Sequence, residues 1–287
     1  MSDTTVPVIE IFGEPGAYAI QGEGMYAGTP SVFVRTFGCN LKCCFGLDKH
    51  EKDQWEKTVK SYADKYNCLE DLPVLAKGCD TYYSIFPEFR KFTKDYTVDE
   101  MVNEIKWRTE NFSSKIDLVI TGGEPLLPKH QVFWALVFNQ IDELIYLNNY
   151  NQNIFNITFE TNGTYELVFD TDGYNYININ FSVSPKLKNS GQEYIDTINP
   201  KAIISYDNGC HDMWFKFVGG DDSIVFEIEN VMELYGLDGI PIYIMPEGGT
   251  KEEIDKHQEV IYNICSECGY CYSPRHQVSI MGNGIGI

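Results

Sequence analysis

The sequence predicts an α/β protein built on a parallel sheet, open or curled into an incomplete barrel. Two observations carry this prediction. Apolar runs of strand length alternate with segments of helical spacing along most of the 287 residues, as repeated βα units require. Strands also end in polar or glycine-containing clusters: "TFGCN", "TGGEP", "ETNG", "SVSPK" and "MPEGG". In α/β sheets and barrels, sites gather at the C-terminal ends of strands, so these loops should share one mouth.

The first strand is "SVFVRTFG" at 31–38, an apolar run that ends at cysteines. A long, charged and aromatic stretch from Cys44 to Thr97 then interrupts the alternation. The helix "VDEMVNEIKWRTE" follows, with its acids early, and "DLVITGG" at 117–123 is a strand running into a glycine turn. Next come the helix "HQVFWALVFNQIDELIYL" and the strands "NITFETNG" (156–163), "INFSVSPK" (179–186) and "DMWFKFVGG" (212–220). The helix "SIVFEIENVMELYG", the strand "PIYIMPEG" (241–248) and the helix "TKEEIDKHQEVIYNICSECG" complete the pattern. No internal repeat or low-complexity tract is present, so a single domain over 1–287 is expected.

Charge and composition narrow the function. The 42 acidic residues against 22 Lys and Arg give a net charge of −20, which repels a nucleic-acid backbone and argues against direct nucleic-acid binding. No apolar run approaches the ~20 residues of a membrane span, and "MSDTTVPVIEIFGEPG" lacks a basic start and apolar signal core. A cytoplasmic protein without membrane contact is expected. Nine cysteines, an odd number without an export signal, fit reduced thiols and metal ligands better than a disulfide framework.

Within "GCNLKCCFGLDK" (38–49), Cys39 and Cys43 are separated by three residues in a loop. They can approach one metal ion or cluster, though two cysteines in a loop are more often plain buried thiols than ligands. Position 46, where one more cysteine would complete a compact ligand motif, is glycine.

In context the motifs are specific. "IQGEGMYAGTPSVFVRTFGCNLKC", followed by "VITGGEP", "ETNGT", "SVSPK", "MPEG" and "YSPRHQVSIMGNGIG", resembles the 7-carboxy-7-deazaguanine synthases of the radical S-adenosylmethionine (SAM) superfamily. The resemblance runs from about Val8 to the end of the chain, interrupted by the 44–97 region. It implies an incomplete TIM-type barrel, a 4Fe-4S cluster, SAM and Mg2+. That family's cluster motif is C-x3-C-x2-C, with an aromatic residue before the third cysteine and Asp-Thr or Asp-Ser after it. Here "KGCDTYYS" (77–84) places Asp80 and Thr81 directly after Cys79. Residues 44–78 are therefore expected to be an insertion within the cluster loop, with Cys39, Cys43 and Cys79 as cluster ligands. Such an insertion is tolerable because loop-closure cost grows only logarithmically, by about 0.6 kcal/mol per doubling. Cys44 and Cys68 are the rivals: Cys44 adjoins Cys43, and Cys68 sits in the helical patch "SYADKYNCLEDL" without Asp-Thr behind it.

The resemblance also implies the remaining roles. Gly78, Asp80, Gly122, Gly123 and Glu124 would contact SAM, with Glu124 receiving the methionine ammonium. Glu160, Asn162, Ser184, Pro185 and Lys186 would contact its ribose or carboxylate, although a strand-terminating turn also accounts for "SVSPK". Ile20, Gln21, Gly22, Arg35 and Thr121 would bind the substrate, 6-carboxy-5,6,7,8-tetrahydropterin, which loses ammonia to give 7-carboxy-7-deazaguanine on the route to queuosine-type nucleosides. Arg35 suits bidentate carboxylate binding, against the alternative of a buried arginine paired with an acid. Thr81 would hold Mg2+ through its hydroxyl. A flavodoxin-type electron donor and a homodimer are the expected macromolecular partners.

Departures from the family pattern are the insertion, Gly78 in place of an aromatic residue, and the extended entry "GEPGAYA" before "IQGEG". Two other readings compete. A radical SAM glycyl-radical activase would not need "IQGEG", Arg35 or Thr81. A non-catalytic metal-binding module would instead use Cys265, Cys268 and Cys271 (C-x2-C-x2-C) with His257 or His276; helix and strand placement is expected to turn these thiols to different faces.

Overall fold

The computed structural model describes residues 4–148, 154–207, 212–282 and 284–285. In chain order the elements are β1 (Thr5–Phe12), β2 (Ala19–Ile20), β3 (Pro30–Thr36), α1 (Lys49–Lys65), β4 (Lys94–Thr97), α2 (Val98–Arg108), β5 (Asp117–Gly122) and α3 (Pro128–Leu147). They continue with β6 (Phe155–Thr161), β7 (Ile177–Val183), α4 (Tyr194–Thr197), α5 (Pro200–Tyr206), β8 (Met213–Gly219), α6 (Ser223–Tyr235), β9 (Ile242–Pro246), α7 (Lys251–Cys268), β10 (Cys271–Tyr272) and α8 (His276–Met281). Among the described residues no helix is long and apolar enough to cross a membrane.

The strands form one sheet in the order β10-β9-β8-β7-β6-β5-β3-β1-β4, with β2 on β3. Every pairing from β3 to β10 along this order is parallel, as the βα alternation requires. β1 and β4 extend it antiparallel beyond β3, and β2 is antiparallel too. These three strands fall outside the alternation, since hairpin-type edges need no helical crossover. The β6–β7 crossover contains no helix; its chain is the irregular segment 162–176.

The sheet is open, with β10 and β4 at its edges, yet it curves. Arg35 of β3 and Met245 of β9 line one cavity, although the strand order places five inter-strand steps between them. Laid flat, those steps would span about 24 Å at ~4.8 Å each. Curvature into a partial barrel brings them to a common space.

Alternation along each strand gives the two faces opposite characters. The outer face carries Val32, Val34, Leu118, Ile120, Ile157 and Phe159, all packed in the main core with α2, α3, α5 and α6. Ala202 and Ile203 of α5 and Ile228 and Val231 of α6 belong to the same cluster. The inner face carries Arg35, Thr121, Thr158, Glu160, Asn180 and Lys216. Near the N-terminal ends of the strands, Asp117 accepts hydrogen bonds from the Thr158 hydroxyl at 2.9 and 3.1 Å. Asn180 is wholly buried, and its Nδ2 has no partner among the described residues.

Residues 44–78 do not form a detached lobe. α1 starts at a capping box in which Asp48 accepts from Glu51 N and the Glu51 side chain accepts from Asp48 N. Its apolar side, with Val59 and Ala63, packs on Tyr82, Tyr83, Phe86 and Phe89 and on Ile9 of β1. The helical patch around Cys68 is shorter than the sequence suggests. Tyr66 turns extended and ends α1, and Cys68 precedes a single 3-10 turn at Leu69–Asp71.

Burial pushes the Asp117 carboxyl up to about 7; the Thr158 hydroxyl opposes the shift and the Glu160 charge adds to it. A carboxyl raised on folding binds a proton in the native chain that the unfolded chain has already lost, so stability falls as pH rises through that interval. Asp117→Asn removes the effect. The stability advantage of Asp117→Asn over the parent protein should grow from pH 4 to pH 7 and stay level above it, as read by urea denaturation. A difference constant across that range would mean that Asp117 remains ionised.

Candidate active site

A cavity of about 480 Å³ opens at the C-terminal ends of the parallel strands, where the strand-end clusters converge. All of the sequence-predicted site residues except Glu124 and Pro185 line it.

Cys39 and Cys43 follow β3, and Cys79 follows the inserted segment. All three face this cavity, whereas Cys44 and Cys68 do not. Cys44 is buried and donates its thiol to Lys42 O at 3.2 Å; Cys68 is exposed and donates to Asp71 Oδ2 at 3.0 Å. The Cys39 sulfur accepts from Leu41 N at 3.4 Å. Burial pushes the Cys43 thiol up to about 11 and the Cys79 thiol up to about 12. Cys39 is raised further still, by burial and then by the Glu124 charge. Among the smaller causes, Cys39 senses both Cys43 and Cys79, and Cys79 senses Cys43. Thiols shifted upward in this way, Cys43 buried and Cys39 and Cys79 half-buried, keep their protons unless a metal displaces them.

Among the described residues, no three His, Cys, Asp or Glu side chains are grouped to hold a metal ion. In the second cysteine set, Cys265 is buried while Cys268 and Cys271 are exposed. His257 is bonded through Nδ1 to Gly220 O at 2.8 Å.

The glycine turn after β5 is set by close approach. A Cβ on Gly123 would lie 2.3 Å from Gly38 O and 2.8 Å from the Cys39 Cβ, and one on Gly122 would lie 2.2 Å from Thr36 O. The glycines therefore let the β5 end seat against the cysteine loop. Glu124 is fully buried and lies behind the wall. Its carboxylate accepts from Leu126 N, Thr161 Oγ1 and Asn162 N, each at 2.8 Å. In this structure Glu124 ties the "TGGEP" loop to the "ETNG" loop and presents no oxygen to the cavity. Pro185 is likewise outside the lining, between Ser184 and Lys186, which are inside it.

Gly78 has a positive φ of +91°, and a Cβ there would lie 2.5 Å from the Trp55 indole. The ring of α1 thus fills the volume beside Cys79 that a side chain at 78 would take. Thr81 Oγ1 lies 3.5 Å from the Cys79 sulfur, and Lys186 Nζ donates to Ser184 Oγ at 2.8 Å.

Arg35 Nε donates to Glu10 Oε2 at 2.8 Å. The bland alternative of a paired arginine is thus present, but the pairing uses one edge only and the side chain still lines the cavity. Gln21 Nε2 donates to Glu160 Oε1 at 3.4 Å.

The sequence reading misses a charged network in the same cavity. Lys216 Nζ lies 2.7 Å from Glu23 Oε2 and 3.2 Å from Glu160 Oε1. Arg275 Nε lies 3.0 Å from Glu23 Oε1, and its Nη2 lies 2.8 Å from Asp80 Oδ2. Burial opposes charge on Glu23, but Lys216 and Arg275 outweigh it and hold the carboxyl well below the usual range. The available signal was Lys216 itself, a single cation inside the apolar strand "DMWFKFVGG".

The fold is an open α/β sheet curved into a partial barrel. It superposes on QueE from Escherichia coli with a TM-score of 0.54 over 94% of this chain and 93% of that one, at 17% identity, a likeness that speaks to fold alone. In sequence, the chain is a relative of the 7-carboxy-7-deazaguanine synthases along nearly its whole length. It is 28% identical to the Halobacterium salinarum protein of that name, over 96% of this chain and 90% of the relative. It is 26% identical to the one from Pyrobaculum aerophilum, over 98% and 97%. No family model matches the chain.

Alanine substitution of Cys39, Cys43 or Cys79 should reduce iron bound after anaerobic reconstitution to background, whereas Cys44→Ala and Cys68→Ala should retain it. Iron retained by Cys79→Ala and lost by Cys68→Ala would move the third ligand.

Proposed function

We propose that the protein is a radical SAM carbon-nitrogen lyase that converts 6-carboxy-5,6,7,8-tetrahydropterin to 7-carboxy-7-deazaguanine with loss of ammonia. The observation that carries this reading is the convergence of three thiols and the Arg35 guanidinium on a single cavity at the strand ends. Cys39, Cys43 and Cys79 would hold a 4Fe-4S cluster, leaving one iron open. When bound, the cluster and SAM supply one-electron, radical-generating chemistry.

The chain's own residues account for binding and orientation. Ser184, Lys186, Asn162 and the Gly122–Gly123 backbone surround the cysteine side and would receive SAM. Arg35, Gln21, Gly22 and Thr121 line the same cavity and would receive the pterin. Glu160 accepts from Gln21 and from Lys216. A substrate carboxylate would take the free terminal nitrogens of Arg35, a planar two-pronged contact that lysine cannot reproduce. Thr81, two residues after Cys79, would present its hydroxyl to Mg2+. The irregular segment 72–78 of the insertion lines the cavity with Leu72, Val74 and Leu75 and would help exclude water. A flavodoxin-type protein would deliver the electron, and two copies would form the working unit in the cytoplasm.

Anaerobic reconstitution with iron and sulfide, followed by product analysis with the carboxylated tetrahydropterin and SAM, tests the assignment. The parent protein should form 7-carboxy-7-deazaguanine. Arg35→Lys should lower kcat/KM for the pterin by at least about tenfold while leaving uncoupled SAM cleavage within about twofold of the parent. Equal losses in both assays would place Arg35 in the structural core.

A further inference from the structure

We infer that Glu10 is a positioning residue: it clasps Arg35 from behind through Nε and so aims the two terminal guanidinium nitrogens into the cavity. The inference rests on the reading above, in which Arg35 receives the substrate carboxylate. It deepens that reading by naming what sets the arginine's orientation.

The starting point is an irregularity in β1. Val8 pairs with Thr36 of β3, so an uninterrupted antiparallel ladder would set Glu10 opposite Val34, a residue of the outer core. Instead the register shifts between Val8 and Glu10, and Glu10 pairs with Arg35. A bulge adds one residue to a strand and re-aims the side chains beyond it. Here it places an acid directly beside the one cation on β3.

The contact is directional. Glu10 Oε2 accepts from Arg35 Nε at 2.8 Å, the nitrogen on the side of the guanidinium rather than its end. Tyr83 donates to the same oxygen at 3.4 Å. The guanidinium carbon lies 5.9 Å from the ring centroids of both Phe12 and Tyr83, so aromatic groups also limit its movement. Among the described residues, no hydrogen bond joins Nη1 or Nη2 to the protein. Phe12, Arg35 and Tyr83 line the cavity and Glu10 does not, so Glu10 acts through Arg35.

Stability alone does not explain Glu10. Its other oxygen, Oε1, is buried without a partner among the described residues. A buried acceptor left unpaired is unfavourable, and an acid kept to stabilise the fold would have both oxygens occupied.

The test compares the parent protein with Glu10→Ala and Glu10→Gln. Each is reconstituted anaerobically, assayed for iron, and titrated with the carboxylated tetrahydropterin and with its 6-carboxamide analogue. A ligand-free readout is hydrogen exchange at Arg35 Nε, followed by 15N NMR. The Nε–H should exchange slowly in the parent and in Glu10→Gln, whose amide oxygen still accepts from it, and fast in Glu10→Ala. Glu10→Ala should weaken acid binding by at least about tenfold, change amide binding little, and keep its iron. Glu10→Gln should stay within about threefold of the parent. An unchanged acid-over-amide preference in Glu10→Ala, or a loss in Glu10→Gln as large as in Glu10→Ala, would overturn the inference. Should Glu10→Ala fail to fold, the Gln variant and the Nε–H exchange of the parent decide: fast exchange in the parent overturns it. If the parent binds no carboxylated pterin while its Nε–H is protected only when position 10 can accept, the proposed function fails and the clasp stands.

Discussion

The architecture depends on one half-buried carboxylate. Glu23, in the loop after β2, is held between Lys216 of β8 and Arg275 beyond β10, and Arg275 reaches on to Asp80 beside the third cysteine. Neighbouring contacts reinforce the junction: Gly24 N donates to Ser273 Oγ at 2.8 Å, and His276 N donates to Gly22 O at 3.2 Å. Among the described residues no strand pairing joins β10 to β4. Ion pairs across the mouth perform the closure that hydrogen-bonded strands perform in a complete barrel.

This arrangement is demanding. Ions taken out of water lose several kcal/mol of hydration each, and only good geometry with further hydrogen bonds compensates for it. The loss of one member would leave its partners charged and unpaired. What the network accomplishes is coincidence: the expected substrate loop, the expected cluster segment and the C-terminal segment meet at one point. Glu160, bound to both Lys216 and Gln21, extends the same network to β6. The interior of the barrel is thus polar by construction, while the outer face of the same strands supplies the apolar core.

Much of this was legible in the sequence, for identifiable reasons. Strands such as "DLVITGG" are buried on both faces and read as continuous apolar runs, and their glycine-rich ends mark the mouth. Cys79 was legible because Asp80 and Thr81 follow it, and the structure places it in the cavity with Cys39 and Cys43. Glu124 was legible as a conspicuous acid after two glycines, but its burial among three donors depends on loops that only the fold brings together. The antiparallel strands β1 and β4 escaped because they obey no βα alternation. The pairing of Glu10 with Arg35 could not be read at all, since a one-residue register shift arises from pairing between distant segments. Lys216 was visible as a lone cation in an apolar strand; its partners Glu23 and Glu160 lie 193 and 56 residues away.

The most direct test of the closure is amide hydrogen exchange, followed by mass spectrometry, on Glu23→Gln. If Glu23 joins the three segments, protection should fall together in residues 21–28, 79–84 and 273–277 and remain at parent levels in β5, β6 and β7. Protection lost only in 21–28, or lost nowhere, would contradict the account.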